Sequence, residues 1–292
     1  MFNRVAIIGL GLIGGSLGLA LRQAHTVQQV VGYDLSKGVG ERARKLGAID
    51  QPCASLAEAA HGSELIILAT PVGAMQLMLQ ELSTSASPGA VITDVASTKV
   101  QVISWAEEYL PANIYFVGGH PIAGKETSGI EAADASLFKQ RVYCLTPTQR
   151  TSRAALEKVT SLIDVLGARV RFLEPPEHDG IVAGVSHLPY IASIALMQTT
   201  ALNPAWDDAS LLAASGFRDM TRLAAGSPAM HRDICLTNSE AITRWLGDYI
   251  AVLSTLRERI AARDPNIGEV FEQAQKARNK WQDAQKQAKN GD

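Results

Sequence analysis

Short apolar runs separated by helical patterns dominate the first half of the chain. Runs typical of buried strands lie at residues 4–8, 30–34, 65–69, 91–93 and 115–117. Helical segments follow the first run as far as about Gln23, cover residues 38–45, and begin again near Thr98. This alternation predicts an α/β fold, a Rossmann-type doubly wound parallel sheet with helices on both faces.

The pattern changes after Pro147. Residues 152–166 have helical periodicity, residues 169–173 form a short strand, and only helical segments follow from Pro175 onward. We therefore predict an α/β domain over residues 1–174 and an all-helical domain over residues 175–292. The last helix carries one narrow apolar stripe, which is suited to packing against another helix: Ile267, Val270, Ala274, Ala277, Trp281 and Ala284.

One stretch of the helical half is apolar enough to raise the question of a membrane. Residues 180–206 contain no Asp, Glu, Lys or Arg, and the stretch is long enough to span a bilayer. It also holds polar residues such as Ser186, His187 and Asn203, and no basic cluster flanks it. This content predicts a buried helix of a soluble protein.

Composition narrows the class of protein further. The 292 residues suffice for about two domains, and 47% apolar against 19% charged residues permits a sizeable core. A net charge of −2 gives no global basic field, so we expect no nucleic-acid partner. Three scattered cysteines (Cys53, Cys144, Cys235) indicate neither a disulfide framework nor a metal site. Together with an N-terminus unlike a signal peptide, they predict a cytoplasmic protein.

A glycine fingerprint follows the first strand. Gly9, Gly11 and Gly14 have the GxGxxG spacing and stand between a strand and a helix, which is the context of a dinucleotide site. Gly9 permits the sharp turn, Gly11 lets the backbone approach a pyrophosphate, and Gly14 lets the helix pack closely. The amides at the start of the helix then face the phosphates.

An acidic residue, Asp34, ends the second strand. Its carboxylate can accept hydrogen bonds from ribose hydroxyls and would repel a 2′-phosphate, which favours NAD over NADP. The alternative is a helix cap or turn residue. Thr70-Pro71 ends a later strand and either passes beneath the cofactor or makes an ordinary proline turn. The predicted cofactor contacts are Gly9, Gly11, Leu12, Ile13, Gly14, Asp34, Thr70 and Pro71.

His120 is the most informative candidate for chemistry. It stands between paired glycines and a proline, just after the run at 115–117, which predicts a strand ending in a tight loop with an imidazole at its mouth. The segment 94–99 follows another strand end, so both should open at the same carboxyl edge of the sheet. Ser97 there either caps the next helix, as Thr98 could, or takes part in catalysis.

Five motifs in order through about residue 240 together resemble the prephenate/arogenate dehydrogenases of tyrosine biosynthesis: residues 9–15, 94–99 (DVASTK), 118–129 (GGHPIAGKETSG), 186–189 (SHLP) and 216–224 (GFRDMTRLA). The resemblance implies a dinucleotide-binding domain followed by a helical domain that binds substrate and forms a homodimer. It also implies oxidative decarboxylation of prephenate to 4-hydroxyphenylpyruvate, of arogenate to tyrosine, or of both, with hydride transfer to NAD.

The resemblance also assigns roles to residues. His120 would accept the proton of the ring hydroxyl, a role that suits a neutral imidazole, and Ser97 would hydrogen-bond the same hydroxyl. Arg222 would bind a substrate carboxylate through its guanidinium fork. His187 would contact substrate from the helical domain, although without the resemblance a satisfied core histidine is the better interpretation. Glu126 matches a position near the mouth of the substrate site and would have a gating or ionic role there, and the alternative is a surface glutamate at a helix start.

Two positions depart from some relatives. His231 stands where some relatives have Trp, contributed across the dimer, and Ser215 stands where some have Gly. Both positions bear on the substrate side chain, which is a keto group in prephenate and an amino group in arogenate.

Two other functions compete with this one. A β-hydroxyacid-type dehydrogenase shares the two-domain plan but typically relies on a lysine in the helical domain, and residues 180–206 contain none. A non-catalytic dinucleotide-binding sensor would keep Asp34 and the glycines but would need neither His120 nor Arg222.

Overall fold

The computed structural model describes residues 2–125 and 127–290, with side chains described up to residue 287. The chain divides into two compact units, the first ending at Ile242 and the second beginning at Thr243. This division falls well after residue 174, because helices beyond that point pack against helices of the α/β part. The domain boundary at residue 174 stays a prediction.

Within the described residues, eight strands form one sheet in the order β3-β2-β1-β4-β5-β6-β7-β8. The pairs from β3 to β6 are parallel, as expected for strands joined by crossover helices. The predicted fold class is confirmed. The strands are β1 (Phe2–Ile8), β2 (Val27–Tyr33), β3 (Gln51–Pro52), β4 (Leu65–Leu68), β5 (Val91–Asp94), β6 (Tyr115–Pro121), β7 (Val142–Thr146) and β8 (Arg169–Phe172).

Helices cover both faces of this sheet and dominate the described chain after β8. They are α1 (Leu12–Gln23), α2 (Val39–Lys45), α3 (Leu56–Ala60), α4 (Val72–Ser85), α5 (Val100–Tyr109), α6 (Arg153–Val165), α7 (Pro175–Val182), α8 (Leu188–Ala201), α9 (Trp206–Leu212), α10 (Ser215–Thr221), α11 (Pro228–Thr237), α12 (Ser239–Ala261) and α13 (Gly268–Asn290). A π-helical turn at Ala183–His187 joins α7 to α8.

The core lies on the two faces of the sheet. Along β1, Val5 and Ile7 pack into one cluster with α1 and α6, while Ala6 and Ile8 pack into the other with α3 and α4. All four side chains are fully buried. Because successive strand residues point to opposite faces, a run of uninterrupted apolar residues is what a doubly covered parallel strand requires.

Two details differ from the predicted sheet. The glycine pair before His120 is not a loop but part of β6, which continues to Pro121. The second half of β6 then pairs with β7 in the antiparallel direction. Glycine permits this close pairing, because a Cβ on Gly118 would lie 2.4 Å from the Thr146 hydroxyl and a Cβ on Gly119 would lie 2.7 Å from the Asp94 carbonyl oxygen.

The apolar stretch at 180–206 was expected to be a buried helix, and for the single chain this is wrong. The continuous helical segment is Pro175–Ala201, and only 22% of its most apolar window is buried. By length and composition alone it could cross a membrane, which is weak evidence by itself. Within α8 only Ser193 is fully buried and the large apolar side chains are half-buried, so part of this apolar surface is available for contacts beyond the single chain.

Candidate active site

The glycine-rich turn after β1 is shaped by its neighbours. Gly9 has a φ of +94°, in the left-handed region, and a Cβ there would lie 2.5 Å from the Ala69 carbonyl oxygen. A Cβ on Gly14 would lie 1.9 Å from the Gly9 carbonyl oxygen. A Cβ on Gly11, by contrast, would meet nothing within 4 Å. The turn therefore leaves an open approach to the backbone at Gly11, as binding of a dinucleotide phosphate requires.

Asp34 joins this turn to the end of β2. Its Oδ2 accepts a hydrogen bond from the Leu10 amide at 2.8 Å, and its Oδ1 accepts one from the Ser36 amide at 2.8 Å. These contacts match the alternative role as a turn residue. Each carboxylate oxygen can accept a further bond, and Asp34 is half-exposed, so the turn contacts leave it able to meet a ribose hydroxyl.

The other predicted cofactor residues surround the same turn. Leu12 and Ile13 begin α1 and are half-buried. The Thr70 methyl group lies 2.8 Å from the Cβ position of Gly9, and Pro71 precedes α4 at its N-cap position. The residues present therefore fit a dinucleotide across the carboxyl edge of the sheet.

A buried ion pair fixes the strand that carries His120. Asp94 and Lys99 are both fully buried and form a short ion pair. Asp94 also accepts a hydrogen bond from the Gly119 amide at 3.0 Å, and the Lys99 ammonium donates to the Gly119 carbonyl oxygen at 2.7 Å. Burial lowers the pKa of Lys99, and the Asp94 carboxylate opposes that change. Side chains thus bind both backbone polar atoms of Gly119, the residue before His120.

His120 is the first member of a hydrogen-bonded chain. Its Nδ1 lies 2.9 Å from Nε2 of His178, whose Nδ1 lies 2.8 Å from Oδ1 of Asp179. His178 is fully buried and Asp179 nearly so, whereas His120 is half-exposed. The two rings meet edge-on, with their planes at 71° and their centroids 5.1 Å apart. His120 therefore faces solvent on one side and a buried polar pair on the other.

The surroundings keep His120 uncharged. Burial lowers its pKa well below the usual 6.5, and the neighbouring His178, Lys99 and His187 add to that effect. At neutral pH the ring is a neutral imidazole with a free lone pair. That form can take a proton, which is what a general base requires.

His187 presents a second imidazole from the π-helical turn. Burial lowers its pKa to about 4, so this ring is also neutral at neutral pH. The Asn238 side-chain amide donates to the Asp179 carbonyl oxygen at 2.9 Å and lies 3.4 Å from Nδ1 of His187. If Nδ1 accepts from that amide, the proton of His187 is on Nε2. Nε2 is buried and has no hydrogen-bond partner among the described residues.

Neither Ser97 nor Thr98 caps helix α5, contrary to one interpretation of the sequence. Lys99 occupies the cap position, and Asp179 from α7 accepts the Lys99 amide at 2.7 Å and the Val100 amide at 2.9 Å. The Thr98 hydroxyl instead bonds that of Thr237 at 2.9 Å. Ser97 lies half-exposed on the bend between Asp94 and Lys99, and its hydroxyl has no hydrogen bond within the described part of the chain.

The remaining predicted substrate residues lie on the helical segments. Arg222 begins a 3₁₀ turn, Arg222–Ala225, that packs against α8. Ser215 begins α10 and is exposed, so it lines no closed site in the single chain. The His231 ring stacks on Tyr190 with centroids 3.3 Å apart. Glu126 lies outside the described residues.

His178, Asp179, Asp94, Lys99 and Asn238 were not recognised from the sequence as site residues. Residues 175–179 have the pattern of a helix start, with prolines and acidic residues. That pattern gives no sign that His178 contacts another side chain. The DVASTK motif contained Asp94 and Lys99. The motif alone does not show that both side chains bind Gly119 of β6. Among the described residues, no cluster of three or more His, Cys, Asp or Glu side chains could hold a metal ion.

Comparisons with known proteins match both halves of the chain. Residues 17–172 match the family described as prephenate dehydrogenase, nucleotide-binding domain, and residues 174–276 match prephenate dehydrogenase, dimerization domain. A prephenate dehydrogenase of Bacillus subtilis is 37% identical over 96% of this chain and 76% of its own length. A cyclohexadienyl dehydrogenase of Zymomonas mobilis is 34% identical over 95% and 96%.

A solved structure extends the similarity to three dimensions. The prephenate dehydrogenase of A. aeolicus, in complex with hydroxyphenyl propionate and NAD+, is 30% identical and superposes with a TM-score of 0.89. The match covers 96% of this chain and 98% of that one. These matches over nearly the whole length favour the predicted resemblance over the β-hydroxyacid and sensor alternatives.

Proposed function

The chain belongs to the prephenate dehydrogenase family, and we propose on that premise that His120 is the general base in the oxidative decarboxylation of prephenate, arogenate or both. It is an NAD-dependent oxidoreductase of tyrosine biosynthesis. When bound, NAD supplies the hydride acceptor. The ring carboxylate leaves as CO2 and the ring becomes aromatic, so the task left to the protein is to hold the substrate and to take the hydroxyl proton.

One observation carries the role of His120. It is a partly buried imidazole, kept neutral by its burial and by the neighbouring His178 and Lys99, at the carboxyl edge of the sheet where the glycine-rich turn also opens. As the carbinol oxygen becomes a phenol oxygen, its proton passes to the free ring nitrogen of His120. Ser97, whose hydroxyl makes no hydrogen bond with the described residues, is the proposed partner that orients the substrate hydroxyl.

His187 is the proposed donor to the substrate. The Asn238 amide favours the tautomer with a proton on Nε2, which has no protein partner. A buried N–H without a partner is costly, and a substrate oxygen would satisfy it. Arg222, His231 and Ser215 are the proposed contacts to the carboxylate and the side chain. Glu126, which lies outside the described residues, is proposed to have a gating or ionic role near the mouth of the substrate site.

We further propose NAD rather than NADP, a homodimer and a cytoplasmic location. The Asp34 carboxylate beside the glycine turn supports NAD, because a 2′-phosphate there would meet a like charge. The match to a dimerization domain and the exposed apolar residues of the helical segments support a homodimer. The three free cysteines are consistent with a reducing compartment.

The test is an assay of each substrate, prephenate or arogenate, with each cofactor, NAD or NADP. The absorbance of the reduced nicotinamide measures turnover. We expect turnover with NAD and at least one of the two substrates. A His120→Asn variant should keep its affinity for substrate and lose about 100-fold or more in kcat, as removal of a general base does. His61→Asn, at an exposed histidine, is the matched control. Absence of turnover in all four combinations would refute the function.

A further inference from the structure

We propose that His178 and Asp179 form a buried positioning pair that holds His120 in its Nδ1–H tautomer and leaves the Nε2 lone pair for the substrate. The inference rests on the proposed function, since it deepens the role of His120. It concerns two side chains that are adjacent in sequence, and His178 is 58 residues from His120 along the chain.

The direction of each hydrogen bond follows from Asp179. Its Oδ1 accepts the Lys99 amide at 2.7 Å, and its Oδ2 accepts the Val100 amide at 2.9 Å. These amides are at the start of helix α5, where partial positive charge favours an ionised carboxylate. An ionised carboxylate only accepts hydrogen bonds. The 2.8 Å contact between Asp179 Oδ1 and Nδ1 of His178 therefore places a proton on that nitrogen.

The same reasoning extends to His120. With its proton on Nδ1, the His178 ring presents the lone pair of Nε2, so at 2.9 Å it accepts a hydrogen bond from Nδ1 of His120. His120 then carries its proton on Nδ1 and is unprotonated at Nε2. The edge-on contact, with ring planes at 71°, is compatible with a bond along the ring edge and not with stacking.

The pair also matters after the proton has moved. The O–H bond of the substrate breaks, an N–H bond forms at Nε2, and His120 becomes an imidazolium in a site whose burial opposes that charge. Its Nδ1–H bond to His178 remains, and Asp179 supplies the nearby negative charge. A second ring backed by a carboxylate therefore stabilises the charge that develops during the reaction.

Two variants of His178 separate this role from simple packing. His178→Phe keeps a planar ring but removes the acceptor, and His178→Gln places an amide oxygen near the position of Nε2. We expect His178→Phe to lose about 10- to 100-fold in kcat, with KM for substrate and the Kd for NAD unchanged, as when a supporting hydrogen-bond partner is removed. We expect His178→Gln to recover most of that loss. Equal kcat values for His178→Phe and wild type would overturn the proposal.

A direct measurement on the wild-type protein keeps the proposal testable if His178→Phe does not fold. Nitrogen-15 NMR of the imidazole rings at neutral pH should show His120 as the Nδ1–H tautomer, and His178→Gln should keep it so. A wild-type spectrum with the proton on Nε2 of His120 would overturn the proposal whatever the kinetics. Because the NMR result needs no turnover, failure of the proposed function and failure of the positioning pair are distinguishable.

Discussion

At the scale of single residues, burial decides the charge of the site histidines. His120 and His187 both have lowered pKa values, and in each case burial is the largest cause. For His120, the neighbouring His178, Lys99 and His187 lower the pKa further. Neutral rings are suited to proton transfer, but they make the folded protein sensitive to acid.

The first prediction concerns stability against pH. His187 titrates near pH 4 in the folded protein and near 6.5 when unfolded, so between these values the unfolded chain binds more protons. Its contribution to the free energy of unfolding is fully present above pH 6.5 and is lost as the pH falls to 4. The whole window corresponds to about 3 kcal/mol. Urea titrations at several pH values should show this slope, and His187→Gln should show a shallower one. An equal slope in both proteins would contradict the assignment.

The second prediction concerns the choice of cofactor. In Asp34→Asn one charge is lost, while the side-chain oxygen can still accept a backbone amide. Removing a charged acceptor for the ribose should reduce the ratio of kcat/KM for NAD to that for NADP by about 10- to 100-fold. Asp50→Asn is the matched control, because Asp50 also accepts a backbone amide, that of Val30 at 2.8 Å. An unchanged ratio in Asp34→Asn would exclude Asp34 from cofactor discrimination.

At the scale of elements, the sequence predicted periodic segments well and contacts between distant segments poorly. The Rossmann-type sheet follows from apolar runs such as that of β1. The extension of β6 through Gly118 and Gly119 was missed because paired glycines usually mark turns. These two residues form a strand because they pair with β7, which follows later in the chain. His178 and Asp179 were missed for a similar reason, since His178 contacts His120 on β6 and Asp179 accepts the Lys99 amide at the start of α5.

The third prediction is that Gly11 and Gly14, in the turn before α1 and its first residues, respond differently to replacement by alanine. Gly14→Ala would bring a Cβ to within 1.9 Å of the Gly9 carbonyl oxygen, a backbone atom, so the helix must move. We expect it to lose about 1–3 kcal/mol of stability. Gly11→Ala meets nothing within 4 Å and should melt like wild type while binding NAD more weakly. Thermal melts and NAD titrations of both variants test this. A Gly11→Ala variant with unchanged NAD affinity would contradict the predicted approach of the phosphates.

At the scale of the whole molecule, the helical segments leave much apolar surface uncovered in one chain. Within α12, Ile250 is 54% exposed and Leu253 is 47% exposed. Exposed apolar patches of this kind usually mark an interface. The predicted core helix at 180–206 was misjudged for this reason, because a sequence pattern does not distinguish burial within a chain from burial between chains.

The fourth prediction is that the protein is a dimer in solution and that α12 contributes to the interface. Light scattering should give twice the chain mass of 31.2 kDa. Replacing both Ile250 and Leu253 by Glu should shift the protein toward the monomer, since two buried charges would oppose association. Glu258→Gln, at an exposed polar position of the same helix, should leave the mass unchanged. A wild-type mass of one chain would refute the dimer.

The Asp94–Lys99 ion pair next to His120 also affects how readily the backbone at Gly119 opens to solvent. The Gly119 amide donates to Asp94, and the Gly119 carbonyl oxygen accepts from Lys99, on the side of β6 where no strand pairs with it. Exchange of that amide with solvent therefore requires its bond to the fully buried Asp94 carboxylate to break. We therefore expect the Gly119 amide, next to His120, to exchange with the slowly opening core of the sheet rather than with the loops around it.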